Sequence, residues 1–209
     1  PDYVFGTEPN YFLVSCKALL PRSGKALAVA DGEGRNGIWL AEQRLEVLSL
    51  DFSPSAQEKA RALAKQRGVT LTIAQADVHT WDYPEAAFDV VVEIFTQFST
   101  PAERAKKWAG MRKALKRGGL LIIQGYTPKQ LQYGTGGPKQ VENLYTRDAR
   151  RGIPRFPRHE DRRRRESGRD QIRRVTRDSV TLRGRPPQFV ERRAGGRSRA
   201  QPLHLRGRR

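Results

Sequence analysis

The chain has 209 residues, and 40 Lys and Arg against 22 Asp and Glu give it a net charge of +18. That length fits one domain of ordinary size with a possible tail. No run approaches the roughly 18 apolar residues that a membrane-spanning helix needs, no secretion leader is recognisable, and Cys16, the single cysteine, excludes an intramolecular disulfide. We therefore expect a soluble, cytoplasmic protein with no membrane partner.

The positive charge is concentrated in one part of the chain. Residues 147–209 contain 22 arginines, no lysine and 7 acidic residues, a balance of +15. Residues 1–146 contain the other 18 basic and 15 acidic residues, a balance of only +3. This difference predicts a domain at 1–146 and an arginine-rich tail of low structure at 147–209.

The first part alternates between strand-like and helix-like segments. A helix is predicted at about 9–19. Short apolar runs follow at 27–30, 47–50, 71–74, 88–94 and 120–124, and their near-continuous apolar character is typical of strands buried on both faces of a parallel sheet. Between them, Ser53 and Pro54 begin a helix that ends at Gly68, and Pro101 begins another that ends near Gly118. Lys106 and Lys107 are expected on its solvated face. The alternation predicts a Rossmann-like, doubly wound α/β fold with a mostly parallel sheet.

A turn of small residues follows the first of these strands. Gly32 and Gly34 come after Ala30 and stand directly before a predicted helix. Small residues let the backbone turn tightly and approach a ligand, and free N–H groups at a helix start point toward it. The next strand ends at Asp51, whose carboxylate can accept both hydroxyls of a ribose, and Asp77 follows the third strand, where an adenine edge would lie. The pattern predicts an adenosine pocket at the carboxyl ends of the strands.

The charge of this turn favours one adenosine ligand over another. Gly32, Gly34 and Gly37 satisfy the dinucleotide pattern G-x-G-x-x-G, but that match is weak by itself. Asp31 and Glu33 lie inside the turn, where a pyrophosphate would meet two like charges. A sulfonium with a free amine brings positive charge instead, so S-adenosylmethionine fits better than NAD.

Five segments of the chain form recognisable motifs: 3–10 (YVFGTEPN), 32–36 (GEGRN), 47–53 (VLSLDFS), 115–119 (LKRGG) and 125–139 (GYTPKQLQYGTGGPK). They resemble class I S-adenosylmethionine-dependent methyltransferases, and within them the tellurite-resistance (TehB-like) and thiopurine-methyltransferase-like branch. The first and last are far more specific than the glycine turn. The resemblance covers about residues 3–146 and implies S-adenosylmethionine as the cofactor and a small-molecule methyl acceptor as the substrate.

The resemblance also implies site residues. The cofactor-binding set is Ala30, Asp31, Gly32, Glu33, Gly34, Asn36, Asp51, Phe52, Asp77, Val78 and Ile94. The acceptor side begins after the fourth strand, and its candidates are Phe95, Gln97, Tyr126 and Tyr133. We assign no catalytic residue. We expect no metal site, because the three histidines share no metal-ligand spacing.

The chain departs from the family at several positions. Most members have an acidic residue where Ala28 stands and a glycine where Ala30 stands, and Asp31 or Glu33 can substitute for the missing acid as an anchor of the cofactor's amine. Gln97 stands where relatives often carry a histidine. The chain begins at Pro1 without the segment that usually precedes it in the family, so we expect a truncated N-terminus.

The tail has no family counterpart. Leu, Ile, Val and Phe make up only 10 of the 63 residues in 147–209, a composition typical of disorder, so we predict no secondary structure there and expect the last two of the family's usual seven strands to be missing. Arginine without lysine is what GC-rich DNA gives when it is read out of frame. A frameshift near 146–147, a genuine arm that binds nucleic acid through its phosphates, and an unrelated extension are the three explanations.

The predicted function is methyl transfer from S-adenosylmethionine to a small soft acceptor, such as a thiol or a chalcogen or metalloid species, by in-line displacement in a monomer. One alternative is a nucleic-acid-binding protein that acts through the tail. The other is an inactive relic, because a sheet without its last two strands would leave an exposed apolar edge.

Overall fold

The structure is a computed structural model that describes residues 2–134, residues 136–146 and the backbone of residues 179–183. Its strands are β1 (Lys25–Val29), β2 (Glu46–Asp51), β3 (Thr72–Gln75), β4 (Phe88–Ile94), β5 (Leu115–Gln124) and β6 (Ser179–Arg183). Its α-helices are α1 (Tyr11–Ser15), α2 (Arg35–Glu42), α3 (Pro54–Arg67), α4 (Pro101–Ala114) and α5 (Gln130–Tyr133), with single 3-10 turns at Lys17–Leu19 and Val141–Asn143.

The strands form one sheet in the order β3-β2-β1-β4-β5-β6. Strands β1 to β5 are parallel to their neighbours, and β6 runs antiparallel to β5. The chain order reverses between β1 and β4, which is the switch point where ligands bind in open α/β sheets. The predicted doubly wound α/β fold with five recognisable parallel strands is therefore confirmed.

The prediction that no secondary structure follows residue 146 is wrong for Ser179–Arg183. This strand pairs along the whole apolar part of β5, from Gln124 opposite Ser179 to Leu120 opposite Arg183. Its sequence, SVTLR, alternates polar and apolar residues, which is the pattern of a strand. The arginine-rich composition of the segments around it led to the prediction of no strand there. Strand β6 also pairs with the edge that the relic alternative left exposed. The rest of the predicted tail, 147–178 and 184–209, lies outside the described residues.

Local signals place the helix boundaries. The Ser53 hydroxyl accepts a hydrogen bond from the Ala56 N–H at 3.3 Å, and Gly68, in a left-handed conformation, ends α3. Thr100 and Glu103 form a reciprocal capping box at the start of α4. Both predicted helix starts are confirmed, but α4 ends at Ala114, four residues before the predicted end, because β5 begins at once with Leu115.

Two apolar clusters cover the two faces of the sheet. On one face, Trp108 and Met111 of α4 pack on β4 and β5, and on the other face Phe12 of α1 and Trp39 of α2 pack on β1 and β2. Cys16 is buried in the second cluster. The carboxyl ends of the strands thus lie between two helical layers.

Among the described residues, no helix has the length and apolar content needed to cross a bilayer.

Candidate cofactor and acceptor site

The turn between β1 and α2 is tightly curled. Ala30, Gly32 and Gly34 all have positive φ, at 49°, 59° and 85°, a conformation that costs a residue other than glycine about 1–2 kcal/mol. A Cβ on Gly34 would lie 2.7 Å from the Cβ of Ala60, so glycine there lets α2 approach α3. The three predicted small residues therefore form the floor of a crevice at the switch point.

Asp51 joins the end of β2 to this turn. Its Oδ2 accepts a hydrogen bond from the Gly32 N–H at 2.8 Å, and its Oδ1 accepts one from the Ser53 N–H at 2.9 Å. Each carboxylate oxygen can accept further hydrogen bonds, and the residue is partly exposed. This position suits the predicted role of accepting the ribose hydroxyls. The neighbouring side chain of Phe52 is 70% exposed at the same edge.

Asp77 follows β3 and is fixed by a residue that the sequence analysis did not assign to the site. Its Oδ1 accepts a hydrogen bond from the backbone N–H of His79 at 2.9 Å and lies 3.1 Å from His79 Nδ1. The backbone hydrogen bond lowers the pKa of Asp77 below its usual value. His79 Nε2 lies 2.8 Å from Ser99 Oγ, and Val78 is buried. The carboxylate is thus ionised and fixed by its own loop at the end of β3.

The two acids inside the turn have different surroundings. Both carboxylate oxygens of Glu33 are engaged, Oε2 by the Val4 N–H at 2.8 Å and Oε1 by Lys59 Nζ at 2.6 Å. Asp31 Oδ2 accepts hydrogen bonds from Ser49 Oγ at 2.9 Å and from the Gly37 N–H at 3.0 Å. Burial raises the pKa of Asp31 to about 7. Glu33 therefore holds the N-terminal segment. Asp31 remains as the acid of the turn that could anchor the amine of the cofactor.

The N-terminal segment 2–10 lies against the turn and explains part of the sequence motif. Asn36 Oδ1 accepts a hydrogen bond from the Asn10 N–H at 2.9 Å, and Arg35 Nη1 donates to the Phe5 carbonyl at 2.7 Å. Asn36, predicted to contact the cofactor, holds this segment through its side-chain oxygen.

The acceptor side lies after β4 and β5. Phe95 adopts a positive φ of 56°, its N–H donates to the Gln124 carbonyl at 2.8 Å, and its ring centroid lies 4.5 Å from that of Tyr126. Such strain in a residue other than glycine is often found at functional sites. Ile94, which precedes Phe95, is partly buried and packs on the α1/α2 side of the sheet. The structure thus brings the predicted residues Phe95 and Tyr126 together as an aromatic pair.

Gln97 and Tyr133 have different positions from this pair. The Gln97 Nε2 donates to the carbonyls of Tyr126 at 2.9 Å and Asn143 at 3.2 Å, and its Oε1 accepts from the Tyr126 N–H. Its amide is therefore used to connect two loops. Tyr133 lies on α5 and is 61% exposed, and no described contact joins it to Phe95.

A buried ion pair beneath these loops was not predicted. Lys107 Nζ and Glu93 Oε1 are 2.7 Å apart, and both side chains are 0% exposed, so the expected solvated position of Lys107 is wrong. Lys107 also donates to the Thr96 carbonyl at 3.1 Å, and Trp108 Nε1 donates to Glu93 Oε2 at 2.6 Å. The Tyr145 hydroxyl donates to Glu93 Oε1 at 3.1 Å. The network ties α4 and residue 145 to the end of β4.

The residues of the crevice fit S-adenosylmethionine. The space beside the turn is open at Gly32, where a Cβ would meet nothing within 4 Å, and the acids Asp31 and Asp51 could complement a sulfonium and a ribose. Among the described residues, no group of three or more His, Cys, Asp and Glu could hold a metal ion.

The comparison with protein families agrees with this geometry. Residues 26–119 match a family model described as "Methyltransferase domain". The chain is 29% identical over 116 residues to a demethylmenaquinone methyltransferase of Deinococcus radiodurans, covering 54% of this chain and 48% of that protein. It is 30% identical over 146 residues to a glycine/sarcosine N-methyltransferase of Parasynechococcus marenigrum, covering 66% of this chain and 50% of that protein. The chain thus spans about half the length of the curated relatives it matches.

Solved structures share the fold. The structure described as "Conversion of a Disulfide Bond into a Thioacetal Group during Echinomycin Biosynthesis" matches with a TM-score of 0.61 and 20% identity, over 74% of this chain and 70% of that one. A TehB-like S-adenosylmethionine-dependent methyltransferase from Corynebacterium glutamicum matches with a TM-score of 0.53 and 21% identity, over 68% of each chain. The fold, the crevice and the match of residues 26–119 to a methyltransferase domain agree with one another: this part of the chain is similar to S-adenosylmethionine-dependent methyltransferases, and the similarity supports S-adenosylmethionine as its cofactor.

Proposed function

We propose that the protein transfers the methyl group of S-adenosylmethionine to a small soft acceptor, a thiol or a chalcogen or metalloid species, by in-line displacement. One observation carries this proposal: on the acceptor side, around the aromatic pair of Phe95 and Tyr126, the imidazole of His79 and the carboxylate of Glu93 already have partners within the protein. A soft nucleophile needs little help from a base, whereas a hard oxygen or nitrogen nucleophile must lose a proton to one.

Three polar side chains on the acceptor side have partners within the protein. Both ring nitrogens of His79 have partners, Asp77 and Ser99. The carboxylate of Glu93 is buried against Lys107 and accepts hydrogen bonds from neighbouring side chains. Gln97, in the position where relatives often carry a histidine, has its amide committed to backbone groups. These contacts favour an acceptor that arrives already nucleophilic.

The chain's own contribution is then to bind and to align. When bound, the cofactor supplies an electrophilic methyl group on a sulfonium. Asp51 and the glycine turn would hold the ribose and the methionine end, Asp77 would accept the adenine amino group, and the aromatic pair would shape the acceptor side and exclude water. Alignment of two reactants corresponds to effective molarities on the order of 10⁵–10⁸ M, which is enough for a reaction without acid–base catalysis to be accelerated strongly.

Assignment to the tellurite-resistance and thiopurine-methyltransferase-like branch is part of the same proposal. It is supported by the segments 3–10 and 125–139, and in the structure residues of the first segment pack on the cofactor turn. The curated relatives are named for demethylmenaquinone, glycine or sarcosine, and phosphatidylethanolamine, so the acceptor must be tested directly.

An acceptor panel tests the proposal. The full chain is incubated with S-adenosylmethionine and either an apolar thiol, selenite, tellurite or arsenite under reducing conditions, or glycine, a demethylated quinone or an ethanolamine lipid, and S-adenosylhomocysteine formation is measured. We expect turnover with at least one member of the first group and its loss in the Asp51→Ala variant. Turnover confined to the second group would replace the soft acceptor with a different class.

The tail is a separate part of the proposal. We propose a frameshift near residues 146–147 in a cytoplasmic, monomeric enzyme whose main domain is 1–146, with strand β6 paired at the edge of its sheet. Resequencing the locus tests it, and an open frame that no single-base correction extends into family-like strands would contradict it. The charge of +15 in 147–209 favours, as the second candidate, a nucleic-acid-binding arm. Such an arm predicts gel shifts with the full chain whose affinity falls steeply with salt.

A further inference from the structure

Asp31 occupies a space in the cofactor turn that the fold has made for a carboxylate. A Cβ on Gly37 would lie 2.4 Å from Asp31 Oδ2, so glycine at this point of α2 leaves room for the acid. The same oxygen accepts hydrogen bonds from the Gly37 N–H and from the hydroxyl of Ser49, which is buried on β2. Three separate elements, the turn, α2 and β2, are therefore shaped around this one side chain.

That carboxylate also lies beside the end of β1. In the sheet Ala28 pairs in register with Ser49, and side chains of residues paired in register point to the same face of a sheet. Asp31 accepts from Ser49 Oγ, so its carboxylate lies on the face of the sheet to which Ala28 points. The turn thus places a negative charge where β1 itself carries only a small apolar side chain.

We propose that Asp31 makes the pocket distinguish S-adenosylmethionine from S-adenosylhomocysteine by charge, and that this preference is lost when its carboxylate is protonated. The two ligands differ by one methyl group and one positive charge on sulfur. An ionised carboxylate in the turn attracts the sulfonium of the cofactor, and it gains nothing comparable from the uncharged sulfur of the product. Asp31 is thus a specificity-determining residue for cofactor over product. The inference rests on the proposed function, because it requires the crevice to hold these ligands.

The charged groups around Asp31 place its titration near neutral pH. Burial is the largest influence and raises its pKa to about 7, the hydrogen bonds from Ser49 and Gly37 and the positive charge of Arg35 act in the opposite direction, and the negative charge of Asp51 adds to the rise. Glu33, the other acid of the turn, is paired with Lys59 at 2.6 Å. The free pocket therefore contains a carboxyl group that is partly protonated near pH 7.

The sign of the pH dependence follows from linkage. A bound cation favours the ionised carboxylate and lowers its pKa, so S-adenosylmethionine releases protons on binding and binds more tightly as the pH rises. If the sulfonium lowers the pKa of Asp31 by about one unit, the affinity for S-adenosylmethionine relative to S-adenosylhomocysteine rises about fivefold between about pH 6 and about pH 8. Above that range the ratio is constant, because the carboxylate is ionised in both states.

Calorimetric titration of the full chain tests the inference with the two ligands themselves. Dissociation constants for both are measured between about pH 6 and about pH 8, in two buffers of different ionisation enthalpy so that released protons are counted. Both ligands carry the same amine, so an effect of Asp31 on the amine enters both dissociation constants and largely cancels in their ratio. We expect Asp31→Asn to remove the difference in pH dependence between the two ligands.

Two further variants make the test specific. Glu33→Gln removes the other acid of the same turn, and since Glu33 is engaged by Val4 and Lys59, the pH dependence of the affinity ratio should persist. Ser49→Ala removes a hydrogen bond that stabilises ionised Asp31, so the transition should move to higher pH, and this variant serves if Asp31→Asn does not fold. Tight binding of both ligands with a ratio independent of pH, or a pH dependence that survives in Asp31→Asn, would overturn the inference and leave the proposed function intact. If neither ligand binds the unaltered chain, both this inference and the proposed function are overturned.

Discussion

The two halves of the sheet's carboxyl edge use their charged side chains differently. At the ends of β2 and β3, Asp51 and Asp77 hold their own loops and remain partly exposed. At the end of β4, Glu93 and Lys107 are fully buried and bind each other. The first half leaves carboxylate oxygens available to a ligand. The second half uses charge to fix the loops that carry Phe95 and Tyr126.

Under the proposed function, this difference corresponds to two ways of binding a substrate. The cofactor side would present fixed negative groups to a ligand that carries positive charge and several hydrogen-bond donors. The acceptor side presents an aromatic pair on a loop whose strained residue, Phe95, is held on one side by the Gln124 carbonyl and on the other by the Lys107 contact to Thr96. We expect substitutions in the first half to change cofactor affinity, and substitutions in the second half to change stability or acceptor use.

The largest expected effect is that of Lys107→Met. It leaves Glu93 buried without its cation, and breaking a buried ion pair in this way destabilises a protein by about 3–5 kcal/mol. Urea denaturation of the full chain measures this directly. Lys106→Met is the matched control, because Lys106 is the adjacent lysine on α4 and is exposed, and a surface change of this kind stays within about 0.5 kcal/mol. The double variant Glu93→Gln with Lys107→Met should regain part of the loss. If Lys107→Met and Lys106→Met have equal stability, the ion pair of Lys107 and Glu93 does not form.

The next effect concerns the cofactor side. Asp51→Ala removes the acceptor of the Gly32 N–H and the proposed partner of the ribose, and charge-assisted hydrogen bonds contribute about 1.5–3 kcal/mol. We expect the affinity for S-adenosylhomocysteine, measured by calorimetry, to fall about ten- to a hundredfold. Asp82→Ala is the control, since the Asp82 side chain is 97% exposed and lies away from the turn. Unchanged affinity in Asp51→Ala would remove Asp51 from the binding site.

The sequence indicated that Asp51 and Asp77 lie at strand ends, but it did not indicate the contacts of Gln97 and Lys107. The reason is that the former depend mostly on residues nearby in the chain and the latter on residues far away in it. Asp51 and Asp77 each follow an apolar strand directly, and their main contacts are with residues two positions along the chain or with the glycine turn. A polar residue at a strand end is visible in a linear pattern. The parallel sheet and its switch point were predicted for the same reason, because each strand and each helix cap is a local signal.

The second half depends on contacts that a linear pattern does not contain. Gln97 binds the carbonyls of Tyr126 and Asn143, which are 29 and 46 residues away. Lys107 follows Lys106 on a helix with charged residues on several sides, and only the orientation of α4 against β4 decides which of the two is buried. His79 was considered only as a metal ligand, although its position two residues after Asp77 was the one available signal that it could hold that carboxylate.

A smaller effect is expected for the aromatic pair. Phe95→Leu keeps an apolar side chain at the strained position but removes the ring contact with Tyr126, and such aromatic pairs contribute about 0.5–1.5 kcal/mol. With whichever acceptor the panel identifies, KM should rise about two- to tenfold, while the dissociation constant of S-adenosylhomocysteine stays unchanged. A shift in the cofactor constant with no shift in KM would move Phe95 from the acceptor side to the cofactor side.

The smallest effect is expected for His79→Ala. The backbone N–H of residue 79, the largest cause of the lowered pKa of Asp77, remains after the substitution, whereas the contributions of the imidazole are lost. The pKa of Asp77 should therefore rise slightly and stay below its usual value, as an NMR titration of the carboxyl carbon would show. A depressed carboxyl pKa stabilises the folded state at pH values above it, so a slight rise in the pKa of Asp77 should lower stability near neutral pH only slightly. A large loss of cofactor affinity in His79→Ala would mean that the imidazole, and not the loop backbone, holds Asp77 in position.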